Sequence, residues 1–91
     1  MRVSAYAIEW SSNAVKQFKK IRDQKIAQRI LEVIEREIAM DPLCGKPLTE
    51  PFKGVRSYRI GVLRILYKPD TQKLTSVILR IDHRKSVYRL Q

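Results

Sequence analysis

Residues 55–82 read VRSYRIGVLRILYKPDTQKLTSVILRID, and this stretch decides the fold. It holds three β-rich runs with nothing but turn residues between them. Gly61 separates the first run from the second, and PDTQ at 69–72 supplies a turn before the third. In the second run Leu63, Ile65 and Tyr67 alternate with Val62, Arg64 and Leu66, which assigns the two sets to opposite sheet faces. In the third run Val77, Leu79 and Ile81 are expected to face the core, with Ile78, Arg80 and Asp82 facing away. Connections this short join antiparallel neighbours.

Upstream, residues 6–10 alternate weakly and read as a first strand. Ser11 or Ser12 can cap a helix whose Ala14, Phe18 and Ile21 share a face. Residues 24–40 continue the helical pattern, with Ile26, Ile30, Ile34 and Ile38 in a stripe widened by Ala27 and Leu31, until Pro42 stops it. Residues 41–54 carry three prolines and two glycines and read as a loop, and 86–90 read as a short extended piece. The expected class is α+β. An N-terminal strand precedes a two-helix hairpin packed on one face of a mainly antiparallel sheet of about four strands, one domain over 1–91.

The net charge of +10 is unevenly spread. Residues 1–52 hold nine Lys/Arg against seven Asp/Glu, whereas residues 53–91 hold ten against Asp70 and Asp82. A field concentrated in this way attracts polyanions. No apolar run has the length of a membrane span or a secretory signal, so no membrane is expected and a cytoplasmic setting is. Cys44, the one cysteine, reads as a plain loop residue.

These residues narrow the chemistry. Two separated aspartates and one histidine in the basic half do not make a metal-ligand set, so neither metal nor cofactor is expected. Asp70 reads as a turn-former, and the glycines lack phosphate-loop spacing. What remains is a set of arginines, lysines, tyrosines and His83. RNA carries its own nucleophile in the 2′-hydroxyl. A protein that cuts it need only align that oxygen, stabilise charge on the phosphate and move protons. Guanidinium groups suit the second task, and a tyrosine can stack on a base or donate a proton. His83 is the side chain with a reference pKa near neutrality, and surrounding cations favour its neutral, proton-accepting form. Lys53 or Lys85 is the second choice of base, and a loop histidine orienting the chain at Asp82 is the plain alternative for His83.

GKPLTEPFKGVRSYRIGVLRILY at 45–67 and VILRIDHRKSVYRL at 77–90 together resemble the RelE/ParE superfamily of toxin–antitoxin modules, its RelE branch in particular. Arg59, Ile60, Gly61, Arg64 and Tyr67 match one motif, and His83, Arg84, Val87 and Tyr88 the other. Val62 departs from the acidic or polar residue that often follows the turn glycine. The resemblance implies a toxin that cleaves mRNA, usually in the ribosomal A site, without metal and leaving a 2′,3′-cyclic phosphate. It implies that Arg64 holds the scissile phosphate, Arg84 stabilises the transition state or leaving group, and Tyr88 contacts the substrate. His83 occupies a motif position of varying role. Lys53, Arg56, Arg59, Lys85 and Arg89 are the expected RNA-binding cations. The implied partners are mRNA, the ribosome and a RelB-like antitoxin that covers the basic face. Two alternatives share the fold: a ParE-like inhibitor of DNA gyrase with no ribonuclease activity, and an inactive module that binds RNA or antitoxin.

Overall fold

The computed structural model describes residues 5–83. Strand β1 (Ala7–Trp10) leads into helices α1 (Ser12–Lys19) and α2 (Gln24–Val33), and α2 runs on into a turn of π-helix at Ile34–Ile38. Strands β2 (Lys46–Pro47), β3 (Arg56–Ile60), β4 (Leu63–Asp70) and β5 (Thr75–His83) follow. They form one sheet in the order β1-β5-β4-β3-β2. Its pairs are antiparallel except β1 with β5, which are parallel. The expected α+β class stands, with five strands instead of about four. The additional one is β2, a two-residue edge strand inside what reads as a loop. It is too short to show alternation, and an edge tolerates Pro47, which has no N–H to donate. The extended piece expected at 86–90 lies outside the described residues.

Ser11 ties helix to sheet. Its backbone is extended and its Oγ accepts the Ala14 N–H at 3.0 Å, capping α1. The same hydroxyl donates to the Leu79 carbonyl at 2.9 Å, and Gln17 Oε1 accepts the Ile81 N–H at 2.8 Å. Strand β1 stops at Trp10, opposite Ile78, so the side chains of Ser11 and Gln17 take over as partners for the edge of β5 beyond it. Asp23 caps α2 through the Lys25 N–H at 2.9 Å.

The core lies between the helices and one sheet face. Ala14, Ile30, Val33, Ile34 and Ile38 meet Ile65, Tyr67, Ile78 and Ile81. Each fully buried isoleucine contributes about 1.5–3 kcal/mol of transfer free energy. The helical stripe is narrower than its sequence suggests. Residues four apart overshoot a turn by about 40°, so the stripe winds around the helix. Ile26 at its start is 37% exposed, and Leu31, about 100° round from Ile30, is 39% exposed. In the π-turn the Ala39 N–H reaches the Ile34 carbonyl at 2.8 Å, and this wider turn keeps both Ile34 and Ile38 over the sheet.

Strand β5 breaks the expected alternation. Leu66 pairs with Arg80, but Tyr67 pairs with Ile78, which leaves Leu79 as the extra residue of a β-bulge. The bulge shifts the phase, so Ile78, expected to face away, is fully buried in the core beside Ile81. Val77 and Leu79, expected inside, are half-buried. Arg80 and Asp82 keep the register positions away from the helices. Among the described residues no helix is long and apolar enough to cross a membrane.

Candidate active site

The β3–β4 hairpin is closed by Gly61 and Val62, with Ile60 opposite Leu63. Gly61 has φ 57° and Val62 does not share that sign, the pattern of a two-residue turn with glycine first. That turn matches the strands' twist and fixes the register, and an exposed Val62 in the second position does not disturb it. The next pair out is Arg59 opposite Arg64. Arg64 in turn lies opposite Asp82 on β5. Directly opposed residues share a face, so Arg59, Arg64 and Asp82 form one row across three strands, on the side away from the helices. The adjoining row is Ser57, Leu66 and Arg80. Three guanidinium groups and one carboxylate therefore occupy two adjacent rows.

Like charges directly opposed on a sheet are unfavourable alone, and Asp82 offsets part of that repulsion. Arg80 Nη2 donates to Asp82 Oδ2 at 2.8 Å, with side-chain exposures of 32% and 16%. Arg59 Nε donates to the Gly61 carbonyl at 3.3 Å and is otherwise at the exposed rim. Beside this end of β5 runs a groove of about 660 Å³. Its walls include Ile21 and Arg22 from the α1–α2 connection, Ile26 from α2, Val62 from the β3–β4 turn, and Arg80 and Asp82 from β5. Half-buried guanidinium groups in fixed orientation suit a tetrahedral oxyanion, because water competes poorly for them there.

Other expected site residues have different positions. Arg56 pairs with Tyr67, on the helix side of the sheet, and its Nη1 donates to the carbonyls of Gly45 at 2.7 Å and Leu43 at 3.1 Å. It fastens the 41–54 segment to the sheet. Tyr67, a motif position, does the same from inside. Its buried hydroxyl donates to the Pro42 carbonyl and accepts the Gly45 N–H, both at 2.8 Å. Burial pushes the Tyr67 pKa well above the ordinary tyrosine value. The Cys44 thiol lies 3.8 Å from that hydroxyl; the residue as a whole is exposed, but partial burial of the thiol pushes its pKa up. Lys53 sits exposed in the turn before β3. The backbone of His83 closes β5 opposite Leu63. Arg84, Lys85, Tyr88 and Arg89 lie outside the described residues. Asp70 shapes its turn as expected, accepting the N–H groups of Gln72 and Lys73. Arg80 and Asp82 are site candidates that the sequence motifs do not mark. Their signal was an opposite-charge pair two apart on one strand, which alternation places on the face of Arg64. Among the described residues, no three His, Cys, Asp or Glu side chains gather as a metal site would need.

The family described as ParE toxin of the type II toxin–antitoxin system, parDE, matches residues 8–88. Toxin RelG of Mycobacterium tuberculosis is 34% identical over 85 residues, covering 92% of this chain and 97% of that protein. A chain in the RelBE2 toxin–antitoxin complex from Mycobacterium tuberculosis superposes with a TM-score of 0.82 at 32% identity, covering 91% of this chain and 95% of that one. The YoeB/ParE toxin from Agrobacterium tumefaciens shares the fold, with a TM-score of 0.75 at 16% identity over 86% of this chain and 98% of that one.

Proposed function

The chain belongs to the ParE toxin family of type II toxin–antitoxin modules, within the RelE/ParE superfamily, and from that premise we propose that it is a metal-independent endoribonuclease that cuts mRNA in the ribosomal A site. The observation that supports this reading most is the pairing of Arg59 with Arg64 across β3 and β4, with Arg80 in the adjoining row. In this mechanism the 2′-hydroxyl attacks the adjacent phosphorus and the 5′-oxygen leaves, producing a 2′,3′-cyclic phosphate. Arg64 holds the scissile phosphate and Arg84 stabilises the charge that builds on it. His83 accepts the hydroxyl proton, and Tyr88 contacts the substrate. Arg59, Lys53, Lys85 and Arg89 contribute further cations for the RNA. Arg56 acts indirectly, by holding the segment that borders β3. The protein works in the cytoplasm without a cofactor. A RelB-like antitoxin silences it by laying acidic groups over the basic face.

A second reading, inhibition of DNA gyrase, is favoured by the ParE description of the matching family. One experiment separates the two. The chain and its Arg64→Ala variant are induced in cells, and mRNA 5′ ends are mapped alongside gyrase-linked DNA breaks. Codon-phased cuts that vanish in Arg64→Ala are the expected result. DNA breaks without RNA cuts would assign the gyrase reading, and absence of growth arrest would leave a binding module.

A further inference from the structure

Resting on the nuclease reading above, we propose that Arg80 binds a second phosphate of the RNA, next to the one at Arg64, and that Asp82 is the positioning residue that holds Arg80 ready for it. Arg64 lies opposite Asp82, and Arg80 lies opposite Leu66. Arg64 and Arg80 are therefore diagonal neighbours on one face, a spacing of about 7–8 Å or slightly less between Cβ atoms. Guanidinium arms from such positions reach successive phosphates of one strand. Arg80 is suited to this by its restraint. The 2.8 Å contact from Nη2 to Asp82 Oδ2 is charge-assisted and half-buried, so the planar group keeps one orientation. Arg80 Nε is shielded from water, which strengthens the field of the whole group at its open edge. A guanidinium has five donors, so the carboxylate does not exhaust it.

Asp82 itself calls for an explanation. A carboxylate on a face meant for a polyanion weakens binding by simple Coulomb repulsion. A local gain must exceed that loss, and fixing Arg80 supplies one. The plainer account is that Asp82 only neutralises crowded arginines. The two accounts predict opposite signs.

The test is equilibrium binding of a short single-stranded 2′-fluoro RNA, which lacks the attacking hydroxyl, across a salt series. Parent protein is compared with Arg64→Ala, Arg80→Ala, Arg80→Lys and Asp82→Asn, each checked for a cooperative thermal melt. Loss of the Arg80 contact is expected to weaken binding about tenfold and to lower the salt slope by about 0.7. Arg80→Lys should keep the slope and still bind more weakly, because it has charge without the fork. Asp82→Asn should weaken binding about threefold to tenfold although it removes a negative charge. Tighter binding by Asp82→Asn would overturn the positioning role, and an unchanged slope in Arg80→Ala would overturn the phosphate contact. If Asp82→Asn does not fold, Asp82→Glu replaces it: the displaced carboxylate should weaken binding, and unchanged binding would overturn the positioning role. Should Arg64→Ala also bind like the parent, the phosphate-holding role given to Arg64 in the nuclease reading fails. Should Arg64→Ala alone weaken binding, only the present inference fails.

Discussion

Replacing Tyr67 with phenylalanine removes one oxygen and nothing else, so its cost can be worked out group by group. The hydroxyl is the partner of the Pro42 carbonyl and of the Gly45 N–H, each at 2.8 Å and each in a buried setting. Leaving a buried backbone group unpaired costs about 1–3 kcal/mol. Some relaxation of the 42–45 segment lets water reach one of the two, so about 2–3 kcal/mol in total is expected for Tyr67→Phe. For a chain of 91 residues, this lowers Tm by about 10–15 °C. Urea unfolding should show a lower midpoint with the same slope, since the unfolded surface hardly changes. The alkaline limb adds a second reading. Burial raises the folded-state pKa of Tyr67 above its unfolded value. The unfolded chain then gives up this proton first, so stability is full below about pH 10 and falls above it, by up to about 1.4 kcal/mol per pH unit. Tyr67→Phe should lack that component of the fall. Tyr58→Phe, half-buried on the same sheet face, is the control and should cost little. A Tyr67→Phe variant within about 0.5 kcal/mol of the parent would refute the clasp.

Gly45→Ala places a Cβ 2.7 Å from the Tyr67 hydroxyl and 2.9 Å from the Ser57 carbonyl, so it should destabilise by about 1–3 kcal/mol in a thermal melt. Ser76 is fully buried, and its hydroxyl has no hydrogen-bond partner among the described residues, so Ser76→Ala should be neutral or stabilising by up to about 1 kcal/mol, whereas an undetected partner would make it destabilising. The Cys44 thiol, its pKa pushed up by burial, should alkylate more slowly at neutral pH than a free cysteine and gain rate as pH rises; a neutral-pH rate matching free cysteine would contradict that environment.

The parts of this fold that a linear pattern can encode were legible in the chain. Serine before an amphipathic run announced α1, and strict alternation in 62–67 put Arg64 on the face opposite Ile65. Alternation assumes an unbroken period of two, however, and the bulge at Leu79 is set by how β4 pairs with β5. Hence Ile78 was expected on the wrong face. Strand β2 has two residues, too few for any period, and exists because β3 offers it an edge. Arg56 and Tyr67 read as exposed chemistry and motif, respectively, because the backbone groups they hold lie 11–25 residues away. The candidate site was legible to the extent that Arg59 and Arg64 flank a two-residue turn. The contribution of Arg80 and Asp82 depends on cross-strand register, which no local window contains.

If this arginine-lined face cuts RNA through the substrate's own 2′-hydroxyl, removing that hydroxyl must stop the cut. Purified protein is added to ribosomes programmed with an mRNA in which the nucleotide 5′ to the cut site carries a single 2′-deoxy substitution, and the products are compared with those of the all-ribose message. The ribose message should be cut with a 2′,3′-cyclic phosphate end, and the deoxy message should stay whole at that position. Equal cutting of both messages would contradict it.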